Sequence, residues 1–322
     1  MLGTRVFKAS TRAVSSTTRL GLLERLVQNP ELTRDEAQDE LRWMKQSLAG
    51  TSGDKLAALV ERRARGEPLQ YILGESRGSH LFHLADILGS TDFGPLTMQC
   101  RAPTLIPRPE TAEIFTRLAS LLETHDAKTT SRPLCVLDLC TGSAPIPILL
   151  KYLMRNRIRV SGYDYSDSAI ELARENIALH DLDIDVHQAD VTSHDFTSTL
   201  ISSMAGRVDL VVSNPPYVTA GEYRTLPPSV RDWEDPAALL GSPSPDSSGL
   251  EFYHRITNLL PELLTDEKDL EDAGWAGIPR VAVEIGSEQG EQVQQIFQEG
   301  ALTRTEVWQD QYHRDRMVLG WL

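Results

Sequence analysis

Residues 134–150 read LCVLDLCTGSAPIPILL, an apolar run that leads into a loop of small residues and then into a second apolar segment. The first run predicts a buried strand. Proline has no backbone donor, so the following helix begins no earlier than about Ala144, with Pro145 and Pro147 in its first turn. Thr141 to Ser143 are then left to face a ligand, which is the layout of a nucleotide-type site. A plain strand-to-helix turn is the alternative.

Three further strands are predicted downstream, each with a polar residue at or just after its carboxyl end. Strands that alternate with helical patterns predict a parallel, doubly wound sheet, and open α/β folds bind ligands at the carboxyl edge of that sheet. An acid at such a strand end can accept hydrogen bonds from ribose hydroxyls, although a single acid is also typical of a solvated surface. The strands with their polar residues are 159–164 with Asp164, 184–190 with Asp190, and 208–213 with Asn214.

The third of these strands runs into the tetrapeptide Asn-Pro-Pro-Tyr at residues 214–217. The prolines fix φ and remove backbone donors, so the Asn214 side chain and the Pro215 carbonyl are available as acceptors at the sheet edge. Two such acceptors can bind both hydrogens of a planar NH2 group. Tyr217 is expected to form a wall of the pocket. The alternatives are an Asn-Pro turn that only closes a strand and a tyrosine that only packs.

These stretches resemble the class I S-adenosylmethionine methyltransferases, and within them the PrmC/HemK-type release-factor glutamine N5-methyltransferases. The resemblance covers about residues 55 to 322, and its most specific part is the stretch IPRPET at residues 106–111 together with the C-terminal tail. The motifs that carry it are DLCTGS at 138–143, Asp164, SNPPYV at 213–218, LIPRPET at 105–111, VEIG at 283–286 with Gln289 and Gly290, and residues 310–320.

The resemblance implies a seven-stranded, mostly parallel sheet whose last strand is antiparallel, preceded by a small helical domain that helps to receive the substrate. It implies S-adenosylmethionine as cofactor, with the contact positions Cys140, Thr141, Gly142, Ser143, Ala144, Asp164, Val191 and Asn214. It assigns catalysis to Asn214, Pro215 and Tyr217, and substrate binding to these three together with Pro216. Cys140 and Ala144 depart from the family pattern, which has glycines at both positions.

The expected reaction is transfer of a methyl group to the side-chain amide N5 of the glutamine in the Gly-Gly-Gln motif of a mitochondrial peptide-chain release factor. A carboxamide nitrogen is a poor nucleophile, so positioning must supply most of the rate. Two alternatives remain open at this stage. One is an amino-methyltransferase that acts on adenine or guanine in nucleic acid, and the other is a non-catalytic assembly factor that keeps the fold.

Charge is distributed unevenly along the chain. It carries 32 basic and 46 acidic side chains, but residues 1–20 contain four of the basic ones, seven serines and threonines, and no acid. That composition is typical of a mitochondrial presequence, or of a basic tail. The remainder, with 28 basic and 46 acidic side chains, has a net charge of −18. Such an acidic body disfavours binding to naked nucleic acid and suits a basic protein partner such as a release factor.

Cysteine spacing and hydropathy exclude other classes of site. Cys100, Cys135 and Cys140 have no C-x-x-C spacing and no paired histidines, so neither a zinc site nor a disulfide framework is predicted. No apolar run approaches the roughly 20 residues that span a bilayer. We therefore expect no metal and no membrane contact. We also expect a monomer, and the presequence-like composition of residues 1–20 places it in the mitochondrial matrix.

The order of these segments predicts four parts. They are a presequence over 1–20, a helical substrate-recognition domain over 21–74, a linker and hairpin over 75–110, and a methyltransferase domain over 111–322. Ile-Leu-Gly at 72–74 recurs at 87–89, and the segment 75–89 shows no helix or strand period. We interpret 75–89 as an insertion, either a surface loop or an artefact of the gene model.

Two further segments are predicted to be loops. The Pro- and Ser-rich residues 221–249 follow the Asn-Pro-Pro-Tyr segment and could cover the substrate, or could be only an insertion. The acidic run 266–272 is expected to be a solvated loop.

Overall fold

The computed structural model describes residues 21–48, 53–74, 89–125, 130–203, 208–242, 244, 248–300 and 302–322. The presequence prediction for 1–20 lies outside the described residues, as does nearly all of the segment 75–89 that was interpreted as an insertion. The chain divides into two compact units, Met1–Gly66 and Glu67–Leu322.

The first unit is built from three helices: α1 (Leu22–Leu26), α2 (Arg34–Ser47) and α3 (Gly53–Ala64). Thr33 starts α2 with a capping box, in which its hydroxyl accepts from the Glu36 backbone N–H and the Glu36 carboxylate accepts from the Thr33 backbone N–H. Arg63 and Glu40 form a buried ion pair at 2.8 Å. The apolar side chains that close this small core include Leu26, Ala37, Met44 and Val60.

The second unit opens with a short helix, a hairpin and a longer helix. These are α4 (Leu69–Gly74), the antiparallel strands β1 (Ser90–Phe93) and β2 (Leu96–Gln99), and α5 (Pro109–Glu123). Pro109 opens α5 at a position where a backbone N–H has no partner within the helix. The first turn of α5 therefore contains the end of the IPRPET stretch.

A seven-stranded sheet follows, in the order β5-β4-β3-β6-β7-β9-β8. The first five strands of this order, β5, β4, β3, β6 and β7, pair in parallel with their neighbours. Strand β9 pairs antiparallel with both β7 and β8. The predicted mostly parallel sheet with an antiparallel last strand is confirmed. The strands are β3 (Leu134–Leu139), β4 (Ile158–Asp164), β5 (Asp185–Gln188), β6 (Leu210–Ser213), β7 (Val281–Glu284), β8 (Arg304–Gln309) and β9 (Asp315–Trp321).

Helices cover both faces of the sheet, because alternate residues of each strand point to opposite sides. Val136 of β3 lies in one apolar cluster with residues of α5, whereas Leu137 lies in the other with residues of the later helices. The helices that follow α5 are α6 (Pro145–Met154), α7 (Asp167–Leu179), α8 (Phe196–Ser203), α9 (Ala220–Tyr223), α10 (Pro228–Arg231), α11 (Pro236–Leu239), α12 (Glu251–Leu263), α13 (Glu267–Asp272) and α14 (Gly290–Glu299). None of the described helices is both long and apolar enough to cross a bilayer.

The prediction of a solvated loop over 266–272 is wrong, because most of this segment forms α13. Leu270, its single apolar residue, is fully buried in the core, and Trp275 follows it there. The acids lie on the remaining faces of the helix, and Glu267 pairs with the buried Arg280 at 2.5 Å. One buried leucine is too little periodicity to be recognised in so acidic a stretch.

Candidate active site

The carboxyl ends of five parallel strands, β3 to β7, meet at one edge of the sheet and line a single cavity. The loops after β3, β4, β5 and β6 supply its floor, and Glu284 at the end of β7 reaches the same space. Residues before and within the first turn of α5 and residues of α11 complete the wall. The lining includes Phe93, Leu105, Arg108, Thr111, Cys140 to Ser143, Tyr163 to Ser166, Ala189 to Val191, Asn214 to Val218, Asp235, Ala237 to Leu239, Phe252 and Glu284.

The loop between β3 and α6 has an unusual backbone. Cys140, Gly142 and Ala144 all have positive φ angles, of 59°, 56° and 63°. This left-handed region costs a residue with a side chain roughly 1–2 kcal/mol, which explains a preference for glycine at all three positions. Ala144 caps α6, and the helix begins at Pro145 as the sequence predicted.

Thr141 holds this loop against the neighbouring strand. Its backbone N–H donates to the Tyr163 carbonyl at 3.0 Å, and its hydroxyl donates to Asp138 Oδ2 at 2.6 Å. Gly162 lies beside Thr141, and a Cβ at that position would come within 2.6 Å of the Thr141 hydroxyl oxygen. The sheet can therefore approach the loop this closely only with glycine at 162. Asp138 itself is fully buried, and burial raises its pKa well above the ordinary value.

Asp164 at the end of β4 contacts the same loop through backbone donors. Its Oδ2 accepts from the Gly142 N–H at 2.8 Å and its Oδ1 accepts from the Ser166 N–H at 2.9 Å. Burial raises the pKa of Asp164, and these two hydrogen bonds oppose that rise. A carboxylate has about four acceptor sites, so both oxygens can still accept from a ligand in the cavity.

The Asn-Pro-Pro-Tyr segment leaves β6 at the centre of the site. The Ser213 hydroxyl donates to the Leu139 carbonyl at 2.6 Å, which fixes the chain immediately before Asn214. Asn214 Nδ2 donates to Thr111 Oγ1 at 3.5 Å. In this orientation the amide nitrogen faces Thr111 across a long contact, and the amide oxygen faces away from it.

The last residue of the segment, Tyr217, and the following Val218 are hydrogen-bonded to two other loops. Gln289 Nε2 donates to the Tyr217 carbonyl at 3.2 Å, and the Val218 backbone pairs with Leu239 and Gly241. Gly249, with φ of +74°, lies so close that a Cβ there would overlap the Tyr217 carbonyl oxygen. Burial raises the pKa of the Tyr217 hydroxyl, so this side chain stays neutral in the physiological range. The segment is thus a rigid part of the site.

Residues 221–249 supply part of the cavity wall, through Asp235 and α11. Their described part includes α10, α11 and all of α9 except its first residue. Glu234 precedes this wall, is buried, and forms an ion pair with Arg108 at 2.7 Å. Tyr165 donates to Asp235 at 3.2 Å from the β4 side. Asp235 and residues 237–239 of the segment predicted as a possible substrate cover therefore line the cavity.

Glu284 was not predicted from the sequence and is the most unusual polar group of the cavity. It is 2% exposed, and its Oε2 has no hydrogen-bond partner in the part of the chain that the structure describes. Burial raises its pKa to about 7, against a hydrogen bond from Thr111 and the nearby charge of Arg316. A signal existed in the sequence, because the apolar run 281–283 ends in this acid, as strand β4 ends in Asp164.

The structure brings the predicted site residues together with one exception. Cys140 to Ser143, Asp164, Val191 and Asn214 to Tyr217 all line the cavity, whereas Ala144 is fully buried beneath it. Thr111, Arg108 and Glu284 join the site without having been predicted for it. No cluster of side chains suited to a metal ion occurs among the described residues.

The cavity suits a nucleoside with a polar amino-acid tail. Ser143 lines it, and the buried Ser143 hydroxyl has no hydrogen-bond partner within the described ranges. Asp164 lines the cavity with oxygens that can accept further hydrogen bonds, and Tyr163, Val191 and Leu239 offer an apolar surface. These are the groups that would hold S-adenosylmethionine.

Comparison with known proteins identifies the family. Residues 117–226 match the family described as Methyltransferase small domain, and residues 33–74 match the PrmC N-terminal domain. A release factor glutamine methyltransferase of Caulobacter vibrioides is 33% identical over 272 residues, which cover 84% of this chain and 79% of that protein. Proteins of the same description from Bacillus cereus and Geobacter sulfurreducens are 30% and 33% identical, over 85% and 83% of this chain and 83% and 78% of theirs.

The first family match includes the loop between β3 and α6 and the Asn-Pro-Pro-Tyr segment, and the second includes helices α2 to α4. The relatives extend the similarity over most of the chain. The chain belongs to the release factor glutamine methyltransferase family and is an S-adenosylmethionine-dependent methyltransferase.

Proposed function

We propose that this enzyme methylates the side-chain amide N5 of the glutamine in the Gly-Gly-Gln motif of a mitochondrial peptide-chain release factor. The observation that carries the proposal is the orientation of Asn214, whose Nδ2 is bound to Thr111 while Oδ1 remains an acceptor at the sheet edge. The names of the relatives supply the substrate class, since each is called a release factor glutamine methyltransferase.

Asn214 and Pro215 recognise an amide NH2 because they offer two acceptors side by side. The Asn214 Oδ1 and the Pro215 carbonyl each accept one of its hydrogens, which turns the nitrogen lone pair away from them. A glutamate side chain has no such hydrogens, so it would place its oxygens against two acceptors. The site therefore favours glutamine over glutamate, because bound glutamate would leave the Asn214 and Pro215 acceptors without hydrogen-bond donors.

Reactivity follows mainly from orientation. S-adenosylmethionine supplies a methyl group that is already a strong electrophile. Asn214 and Pro215 hold the amide nitrogen in line, and such positioning is worth roughly 7–11 kcal/mol. Positive charge grows on that nitrogen during transfer, so the hydrogen bonds to the two acceptors strengthen in the transition state. Tyr217 stays neutral and contributes a wall of the pocket.

The partner is proposed from charge. Residues 21–322 carry a net charge of −18, which suits a basic, RNA-binding release factor. An enzyme acting on adenine or guanine in nucleic acid would need a basic groove for the phosphate backbone, and the charged residues of the cavity are Glu284, Asp164, Asp190 and Asp235 against Arg108. A non-catalytic assembly factor would not need Asn214 held in this orientation.

The test is a methylation assay with purified protein, S-adenosylmethionine carrying a labelled methyl group, and a mitochondrial release factor. We expect label on the Gly-Gly-Gln glutamine, located by mass spectrometry of the digested factor, and none on a factor with that glutamine changed to glutamate. Label on adenine-containing DNA or RNA in place of the factor would favour the nucleic-acid alternative. A protein that binds S-adenosylmethionine and labels neither would favour the assembly factor.

We propose the mitochondrial matrix as location, on the basis of the basic, acid-free composition of residues 1–20. Deleting these residues should leave activity in vitro unchanged and move a fluorescent fusion from mitochondria to the cytosol. A truncated fusion that still enters mitochondria would contradict the proposal, and a cytosolic full-length fusion would point to a cytosolic release factor.

A further inference from the structure

The side chain of Gln289 joins three loops at the carboxyl edge of the sheet. Its Nε2 donates to the Tyr217 carbonyl at 3.2 Å and to the Ser248 carbonyl at 3.3 Å. Its Oε1 accepts from the Gly286 backbone N–H at 3.0 Å. The first partner ends the Asn-Pro-Pro-Tyr segment, the second belongs to the segment 221–249, and the third follows β7. One amide therefore holds these three stretches of chain together.

The three partners of Gln289 are main-chain groups, so they fix the orientation of its amide. A carbonyl can only accept a hydrogen bond and a backbone N–H can only donate one. A side chain that meets all three needs two donors and one acceptor, and the amide of glutamine supplies them. A glutamate at this position would place an oxygen against two carbonyl oxygens. The contacts therefore select glutamine by its chemistry as well as by its length.

The position of Gln289 in the chain does not by itself call for glutamine. Gln289 is the N-cap residue of α14, where Ser, Thr, Asn and Asp are preferred because their side chains accept from the first turn of the helix. The Gln289 side chain makes no capping hydrogen bond to α14. Its contacts across the site, and not the start of the helix, explain why a glutamine stands here.

The Asn-Pro-Pro-Tyr segment depends on its two ends. Its two prolines have no backbone N–H, so they cannot donate to a neighbouring chain. The segment is fixed before its first residue by the Ser213 hydroxyl, which donates to the Leu139 carbonyl at 2.6 Å, and at its last residue by Gln289, which donates to the Tyr217 carbonyl. Because the proline rings fix φ between these ends, a shift of the Tyr217 carbonyl would also move the Pro215 carbonyl.

We propose that Gln289 is a positioning residue, which holds the Asn-Pro-Pro-Tyr segment so that the Pro215 carbonyl meets the substrate NH2. The inference rests on the proposed function, because the direction of that carbonyl matters only for a substrate that carries an NH2 group. In the part of the chain that the structure describes, Gln289 lies outside the lining of the cavity. It therefore acts on the substrate through the main chain of the segment.

The test compares two substitutions by methionine. Gln289→Met keeps an unbranched side chain of similar length and removes the donor from two main-chain carbonyls. Arg280→Met is the matched control, because Arg280 is fully buried before the other end of β7 and donates to the carbonyls of Asp209 at 2.8 Å and Thr265 at 2.6 Å. Both variants should unfold at a lower urea concentration than the wild type.

The two variants should differ in catalysis. Gln289→Met should lower kcat for release-factor methylation by about 10- to 100-fold, because a misplacement of about 1 Å at the reacting groups has this effect. Arg280→Met should keep the wild-type kcat, and Kd for S-adenosylmethionine should stay within about three-fold of wild type in both. A Gln289→Met variant with lower stability and wild-type kcat would overturn the inference, as would equal losses of kcat in the two variants.

Gly286→Ala disturbs the same amide without removing it, so it keeps the inference testable if Gln289→Met does not fold. A Cβ at 286 would lie 2.9 Å from Gln289 Oε1 and 3.2 Å from Gln289 Cδ. We expect kcat to fall by about three-fold or more. In a Gln289→Ala background these crowding atoms are gone, so Gly286→Ala should cause no further loss. Equal losses in the two backgrounds would contradict a role through Gln289.

A further measurement does not depend on methyl transfer. Directly after the segment, the Val218 N–H donates to the Leu239 carbonyl and the Gly241 N–H donates to the Val218 carbonyl. Hydrogen exchange of these two amides should be faster in Gln289→Met than in the wild type or in Arg280→Met. Unchanged exchange would overturn the inference. Faster exchange in Gln289→Met, together with a wild type that does not methylate a release factor, would refute the proposed function alone.

Discussion

Gly162→Ala is the change whose effect the structure defines most sharply, because the three atoms nearest to the added methyl group all belong to Thr141. A Cβ at 162 would lie 2.6 Å from Oγ1, 3.0 Å from Cβ and 3.1 Å from Cγ2 of Thr141. Favourable separations between such atoms are about 3.5–4.0 Å, so Thr141 would have to move by about 1 Å. Thr141 is 3% exposed and donates to Asp138 at 2.6 Å, so a movement of this size would disturb that hydrogen bond.

Overpacking of this kind destabilises a protein by about 1–3 kcal/mol. Thr141 also lines the cofactor cavity, so its displacement should weaken S-adenosylmethionine binding by about ten-fold, or about 1.4 kcal/mol. Urea denaturation measures the first effect and isothermal titration calorimetry the second. Gly162→Ala with wild-type stability and wild-type cofactor affinity would refute the reasoning.

Thr141→Ala provides the matched background for this prediction. It removes the two outer atoms of Thr141 and leaves only Cβ, at 3.0 Å from the new methyl group. The further cost of Gly162→Ala should then fall below about 1 kcal/mol, although Thr141→Ala itself loses the hydrogen bond to Asp138. An equal cost in both backgrounds would show that the crowding lies elsewhere.

Three further predictions concern the active site. Asn214→Ala should lower kcat by about 100- to 1000-fold, because the substrate NH2 loses an acceptor. The free energy of unfolding should change by less than about 1 kcal/mol, because the side chain makes one long hydrogen bond within the described residues. A variant that keeps a third of the wild-type kcat would show that Asn214 does not have this role. Asp164→Ala should weaken S-adenosylmethionine binding by at least about ten-fold in calorimetry, and unchanged affinity would exclude the ribose contact. Burial raises the pKa of Glu284 from 4.5 to about 7, so the folded protein holds this proton more tightly than the unfolded chain. As pH rises between these values, the wild-type free energy of unfolding should fall by about 3 kcal/mol relative to Glu284→Gln, and parallel urea-denaturation profiles would contradict this.

The sequence revealed those parts of the site that depend on local chain order. Asp164 and Asn214 each follow a recognisable apolar strand, and the carboxyl ends of parallel strands meet at one edge, so their proximity could be predicted. Pro145 likewise marked the start of α6. The orienting contact of Asn214 comes from Thr111, 103 residues earlier, and no local pattern reports which helix turn packs beside a strand end.

The backbone conformation of the loop between β3 and α6 could not be predicted from the sequence alone. The departures from glycine at Cys140 and Ala144 were visible, but the structure shows that both residues adopt positive φ, and that Ala144 lies beneath the cavity. The prediction of a loop over the acidic run 266–272 was wrong because burial of one leucine, Leu270, stabilises a helix despite the surrounding charged residues. In both cases, packing by residues distant in sequence decides the outcome.

One of the two proposed acceptors for the substrate NH2, the Pro215 carbonyl, belongs to the main chain, so no change of side chain can remove it. The Pro215 carbonyl can be altered only by moving the backbone that carries it, and that backbone is braced at the Tyr217 carbonyl, against which Gly249 packs. Any side chain at 249 would push on this point. Loss-of-function alleles that spare every cavity-lining residue are therefore expected at Gly249, 34 positions along the chain from the acceptor that they would disable.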